Sequence, residues 1–156
     1  MDLDNKPADF LAVSPYGLVP ALVDGETVVY ESAVINEYIE EKFPIPSLMP
    51  HDPAGRARAR IWIDFCNARL GEAARKVVHG ANPDQGRIEL KKHLARLEGE
   101  MRGKDFIAGP YSLADITYLP FFTRMESRCG ISLEDYPSLK SWVERISSRP
   151  AVKKTL

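Results

Sequence analysis

Cysteine is scarce in this chain: Cys66 and Cys129 are the only two, far apart and without CxxC spacing. That speaks against a disulfide or a metal site, and predicts two reduced, partly buried thiols of a cytoplasmic protein. Histidine is scarce too. His51, His79 and His93 lie at no ligand spacing from the cysteines, so no metal is expected. An excess of one charge is also lacking. Lys and Arg number 21 against 22 Asp and Glu, for a net charge of −1. Nothing there attracts nucleic acid or an anionic membrane. No apolar run approaches the roughly 20 residues that span a bilayer as a helix. The opening MDLDNKPADF is polar and acidic and does not read as a signal peptide. Repeats and low-complexity segments are absent, and 156 residues suffice for one ordinary domain or two small ones.

What is present is concentrated in Phe10 to Ser32, FLAVSPYGLVPALVDGETVVYES. Ser14-Pro15 and Tyr16-Gly17 break a short helical turn in which Pro7 opens and Phe10 and Leu11 bury. Pro20 stands at a strand start, one of the few sheet positions proline tolerates. Val19-Pro20 can be cis at small cost, which turns the Val19 main chain outward toward an extended ligand. Ala21 to Val23 and Thr27 to Tyr30 read as strands joined across Asp24-Gly25. Glu31 to Phe43 reads as a helix, with Ser32 its N-cap, Val34, Ile35, Tyr38 and Ile39 its apolar face, and Pro44 its end. Free N–H groups at that helix start favour a carboxylate. The pattern describes a socket for a small peptide-like anion.

SPYGLVP (Ser14 to Pro20) followed by ALVDGETVVYES (Ala21 to Ser32) resembles the glutathione transferase family, and the likeness extends to the C-terminus. The resemblance implies a thioredoxin-like part joined to an all-helical domain, a mainly α protein. It implies that glutathione is the substrate bound, with Val19 and Pro20 meeting its cysteinyl backbone and Glu31 and Ser32 its γ-glutamyl end. It also implies a homodimer, and a small hydrophobic electrophile as the acceptor.

The proline-rich PIPSLMPHDP, residues 44–53, reads as a stiff connector. The domains expected are therefore 1–44 and 54–156, with 45–53 between them. Beyond the connector the pattern is helical throughout: Arg56 to about Val78, Arg87 to Arg102, Leu113 to about Arg128, and Pro137 to Ser148. The first carries Ile61, Phe65, Ala68 and Ala73–Ala74. In the second, Leu90, Leu94, Leu97 and Met101 form a core stripe. In the family the first of these helices lines the dimer interface and a wall of the acceptor pocket, which by position falls on Asp64, Phe65 and Arg69. Its arginines, Arg56, Arg58, Arg60, Arg69 and Arg75, read as a solvated face. Trp62 and Trp142 read as core or interface anchors. Ser112 and Asp115 have capping-box spacing, flanked by Tyr111 and Ile116 as a hydrophobic staple. This resembles the family's structural helix cap, so Asp115 is read as structural, not catalytic. Pro120 is expected to bend its helix.

In the family a β-α-β unit of roughly 30 residues precedes the proline loop. Here about a dozen residues do, and Met1 to Asp4 read as the end of its second strand. No residue matches the thiol-activating Ser, Tyr or Cys, so no catalytic residue is assigned. The resemblance then implies an exposed edge at Ala21 to Val23, in an N-terminal third that is mobile, completed by another chain, or the remnant of a longer protein. A non-catalytic protein-interaction module is the alternative. SLMPHDPAGRARAR (Ser47 to Arg60) resembles the stringent starvation protein, a polymerase-associated member of the superfamily.

Overall fold

The computed structural model describes residues 6–155; the expected strand at Met1 to Asp4 lies outside them. The chain is mostly helical with one small sheet, and it divides into two compact units between Leu48 and Met49.

The first unit runs α1 (Ala8–Val13), β1 (Ala21–Asp24), β2 (Thr27–Tyr30) and α2 (Ser32–Lys42). β1 and β2 pair antiparallel, Ala21 opposite Tyr30 and Asp24 opposite Thr27. The turn between them takes Gly25 at φ 61°, a conformation that glycine adopts without a side-chain clash. The hairpin is tied to α2 by polar contacts. Tyr38 donates its hydroxyl to Asp24 at 2.7 Å, and Lys42 pairs with the same carboxylate. The Lys42 hydrogen bond, with that of Tyr38, holds Asp24 below the usual carboxylate range. Of the apolar face expected on α2, Ile35 alone is buried; Val34 and Ile39 are exposed and Tyr38 is half-buried. A four-residue-wide hairpin is too small to cover that stripe. The buried carboxylate of Glu40 ties the following connector back, accepting from the Ser47 hydroxyl at 2.7 Å and the Leu48 N–H at 3.0 Å.

The second unit is a helical bundle. It holds α3 (Pro53–Asp64), a π-helical stretch (Phe65–Gly71), α4 (Glu72–His79), α5 (Pro83–Met101), α6 (Leu113–Cys129), α7 (Pro137–Ser147) and α8 (Pro150–Lys153). The single helix expected from Arg56 to Val78 is thus interrupted by wider turns. Its buried stripe is Ala59, Ile63, Cys66, Leu70, Ala73 and Val77, and Ile61 points outward. Ile61, Trp62 and Ile63 are consecutive apolar residues, so spacing alone leaves the phase open. α5 begins at Pro83, earlier than expected, with Asn82 accepting from Gln85 N–H at 3.2 Å. Pro83 occupies the first helical turn, where no donor is required. The α5 stripe Leu90, Leu94, Leu97 and Met101 is buried, as are Tyr118, Leu139, Trp142 and Ile146 from α6 and α7. Gly86 lets α5 approach α4: a Cβ there would stand 2.7 Å from the Val77 nitrogen.

Candidate functional site

The recess of the first unit is built on a pinned loop. Ser14, buried at the end of α1, donates its hydroxyl to the Leu18 carbonyl at 2.7 Å and accepts from the Leu18 N–H at 3.0 Å. Gly17 turns the chain at φ 63°. Val19-Pro20 follows as a cis peptide, and β1 starts immediately after it. At the other end of the hairpin, Glu31 takes φ 69°, the one positive φ outside glycine among the described residues. Holding a non-glycine residue there costs about 1–3 kcal/mol. That turn reverses the chain into α2, whose first residue is Ser32.

These two corners face each other. Ser14, Tyr16, Leu18, Val19, Pro20, Tyr30, Glu31 and Ser32 line one recess of about 80 Å³. The Tyr16 and Tyr30 rings meet edge to face at 5.8 Å between centroids. The four residues expected to form the socket, Val19, Pro20, Glu31 and Ser32, therefore come together. The expected N-cap does not hold: Glu31 caps α2, and Ser32 is already helical. The left-handed turn at Glu31 moves the cap by one residue. No side chain caps this end, and the first amide bonded back is Ile35 N–H, to the Glu31 carbonyl at 2.9 Å. The earlier amides of the turn are left to face the recess or solvent. Among the described residues, nothing donates to or accepts from the Val19 main chain.

In the second unit, Ser112 and Asp115 make the reciprocal capping box at the start of α6, and both are fully buried. The Asp115 carboxylate accepts from Ser112 N–H at 2.9 Å, Ile107 N–H at 3.0 Å and the Trp142 indole at 2.9 Å. Burial pushes its pKa up and these donors pull against that shift. Every lone pair is committed to structure, so the group has no free face for acid–base work. Tyr111 packs on Phe106 and under the Arg149 guanidinium.

Asp64, Phe65 and Arg69 follow one another along the end of α3 and the π-helical stretch. Asp64 and Arg69 are exposed. Phe65 is buried, edge to face with Trp62 and His93 and beneath Arg96. Both thiols are free and buried; burial pushes Cys66 up to about 12 and also raises Cys129. Neither is a nucleophile at neutral pH. Among the described residues, no cluster of His, Cys, Asp and Glu is placed to hold a metal, and no helix is long and apolar enough to cross a membrane.

Two site features escape sequence reasoning. Tyr30 lines the recess although it reads only as the end of a strand. The strained turn at Glu31 has no compositional signal, because strain favours Gly or Asn there and neither is present.

Comparison with known proteins bears on this geometry. Residues 1–42 match the glutathione S-transferase N-terminal domain, and residues 71–150 match the glutathione S-transferase C-terminal domain. Glutathione S-transferase GstB of Escherichia coli is 32% identical over 166 residues, covering 97% of this chain and 79% of that protein. A beta class glutathione S-transferase of Sphingomonas chungbukensis superposes with a TM-score of 0.87 at 29% identity, across 100% of this chain and 83% of that one. A sphingomonad glutathione S-transferase complexed with glutathione gives a TM-score of 0.83 at 30% identity, across 95% and 77%. With both domain models matched and the fold shared along its length, this chain belongs to the glutathione S-transferase family.

Proposed function

We propose that the chain binds glutathione in the recess of its first unit and presents the thiol to small electrophiles. The observation that carries this reading is the convergence of Val19, Pro20, Glu31 and Ser32 on one recess at the uncapped start of α2. A tripeptide with two carboxylates and an amine matches those groups. The unpaired Val19 main chain offers one donor and one acceptor to an extended backbone. The Ser32 hydroxyl and the first-turn amides of α2 receive a carboxylate, and the helix dipole favours its charge. The Glu31 carboxylate receives the ammonium of the γ-glutamyl end. Residues 1–44 are on this reading a partial thioredoxin-like glutathione-binding part, and 54–156 the helical domain, of a cytoplasmic homodimer.

In conjugation, the glutathione thiolate forms a C–S bond at the electrophile and the leaving group departs with its electron pair. The recess residues bind and orient the tripeptide. Titration calorimetry with glutathione tests the socket. A saturable heat, lost in Ser32→Ala and in Glu31→Ala, is the expected result. No heat from a well-folded chain sinks the reading. Chloride release from 1-chloro-2,4-dinitrobenzene, measured with and without glutathione, then tests conjugation.

One observation favours a second reading, the non-catalytic interaction module. Among the described residues, eleven of the fourteen exposed large apolar ones belong to the first unit, Val23, Val28 and Phe43 among them. Such surface marks a contact area for another chain. Glutathione affinity without conjugation would favour this reading; size-exclusion chromatography tests for the homodimer.

A further inference from the structure

The charges of helix α5 do not balance. Each of its carboxylates is committed: Asp84 pairs with Arg87, Glu89 with Lys76 and Glu100 with Lys104, and Glu98 is buried on the amides of α7. Lys91, Lys92 and the capping Arg102 make no ion pair among the described residues. Arg96 lies over the Phe65 ring, with no carboxylate beside it. All four cations are exposed. The chain as a whole stands at −1, so the outward half of this helix is a local departure.

The crest of that half is apolar. At about 3.6 residues per turn, Ile88, Ala95 and Gly99 fall on one line, opposite the buried Leu90, Leu97 and Met101. A solvated helix carries its most polar residues on that outermost line. Here Ile88 stands 63% exposed instead. Glycine weakens a helix, yet a Cβ at Gly99 would meet nothing within 4 Å. The fold gains nothing from glycine there, whereas a second backbone approaching closely does. Lys91 and Arg102 border the crest on one side, Lys92 and Arg96 on the other.

The arrangement selects its occupant. A second copy laid on this face would set cation against cation. A phosphate backbone is held by cations, and the centre of this face offers it isoleucine, alanine and glycine. A bilayer surface is held by inserted apolar area, and a single isoleucine supplies little. We propose that the outer face of α5 docks an acidic amphipathic helix of another protein. The apolar line of that helix lies on Ile88, Ala95 and Gly99, and its flanking carboxylates meet the cations on either side. The face lies wholly within the helical unit, and neither glutathione binding nor conjugation is needed for it.

Fluorescence anisotropy with a labelled synthetic helix, built of Glu, Ala and Leu with its leucines on one face, tests the proposal. A scrambled peptide of the same composition and a peptide with Lys in place of Glu are the controls. The full chain binds the acidic amphipathic helix saturably, the scrambled peptide several-fold more weakly, and the Lys peptide not at all. Raising salt weakens the complex. Lys91→Gln/Lys92→Gln lowers affinity about tenfold or more. Gly99→Leu is the sharper variant. Its side chain meets no neighbour and favours the helix, so the thermal midpoint holds or rises. The same side chain keeps the partner off, and affinity falls about tenfold or more. Unchanged affinity in either variant overturns the proposal, as does equal binding of the ordered and scrambled peptides, because bare charge is then being read. Tighter binding of phosphatidylserine vesicles or of oligothymidylate than of the peptide overturns it in favour of those anions. A change of oligomeric state in Gly99→Leu, seen by size-exclusion chromatography, overturns it in favour of a second copy.

Discussion

The two units distribute their apolar side chains in opposite ways. The helical unit encloses Trp142, Tyr118, Leu90, Leu94, Leu97 and Leu139 with almost no exposure. The first unit buries Ile35 and little else apolar, and holds its hairpin to α2 through Asp24, Tyr38 and Lys42. One unit is fixed by packing and the other by polar ties and a strained corner. The recess sits on the second kind. Recognition groups there are open main chain and an uncapped helix start, which a well-packed bundle would have satisfied internally.

If the bundle is the stable partner, its buried polar joints should be the most costly to break. Asp115→Ala leaves three buried donors unmatched, each costing about 1–3 kcal/mol. Chemical denaturation should show a loss of about 3 kcal/mol or more. Gly86→Ala forces α4 and α5 apart at a backbone contact, with a Cβ 2.7 Å from the Val77 nitrogen. A loss of about 2 kcal/mol, the scale of core overpacking, is expected by the same measurement.

Glu98 sharpens the comparison by pH. It lies buried on α5 and accepts from Ser138 N–H at 3.1 Å and Leu139 N–H at 3.0 Å, capping α7 from another helix. Burial pushes its pKa up, but these donors outweigh it and the carboxyl ends below its ordinary 4.5. Its folded form therefore binds its proton less readily than the unfolded chain does. The stability it contributes is full above about pH 4.5 and fades as pH falls through the lower folded value. Glu98→Gln should cost about 1–2 kcal/mol at neutral pH, and the gap to the parent should close in acid. A gap that is constant with pH would mean the charge plays no part.

The smallest effect has the opposite sign. Glu31→Gly relieves the φ 69° turn and should raise stability by about 1 kcal/mol while removing glutathione affinity. A variant that loses both would show that the Glu31 side chain also holds the first unit together.

How much of this was legible in the sequence follows from the range of each interaction. The Ser112–Asp115 box, the Asp24-Gly25 hairpin and the α5 stripe are set by neighbours within a few turns, and their spacing reveals them. Val19, Pro20, Glu31 and Ser32 could be grouped because two corners of one hairpin carry them. The cap at Ser32 was misplaced by one residue, since a single positive φ leaves no composition mark. The π-helical stretch Phe65–Gly71 is hidden for the same reason: the residues FCNARLG are those of an ordinary helix. The partners of Glu98 lie some 40 residues later. Nothing local distinguishes it.

The polar ties to α7 have a consequence for the order in which the chain is made. Glu98 and Asp115 are both synthesised before the segment that supplies Ser138, Leu139 and Trp142. Until α7 emerges, both carboxylates wait without those donors, and α5 and α6 lack the helix that packs against them. Helix α7 thus acts as the clasp on an assembly already in place. A nascent chain halted before Pro137 is a substrate for chaperones, and a stop codon in that region should lower cellular protein level far more than the modest length it removes.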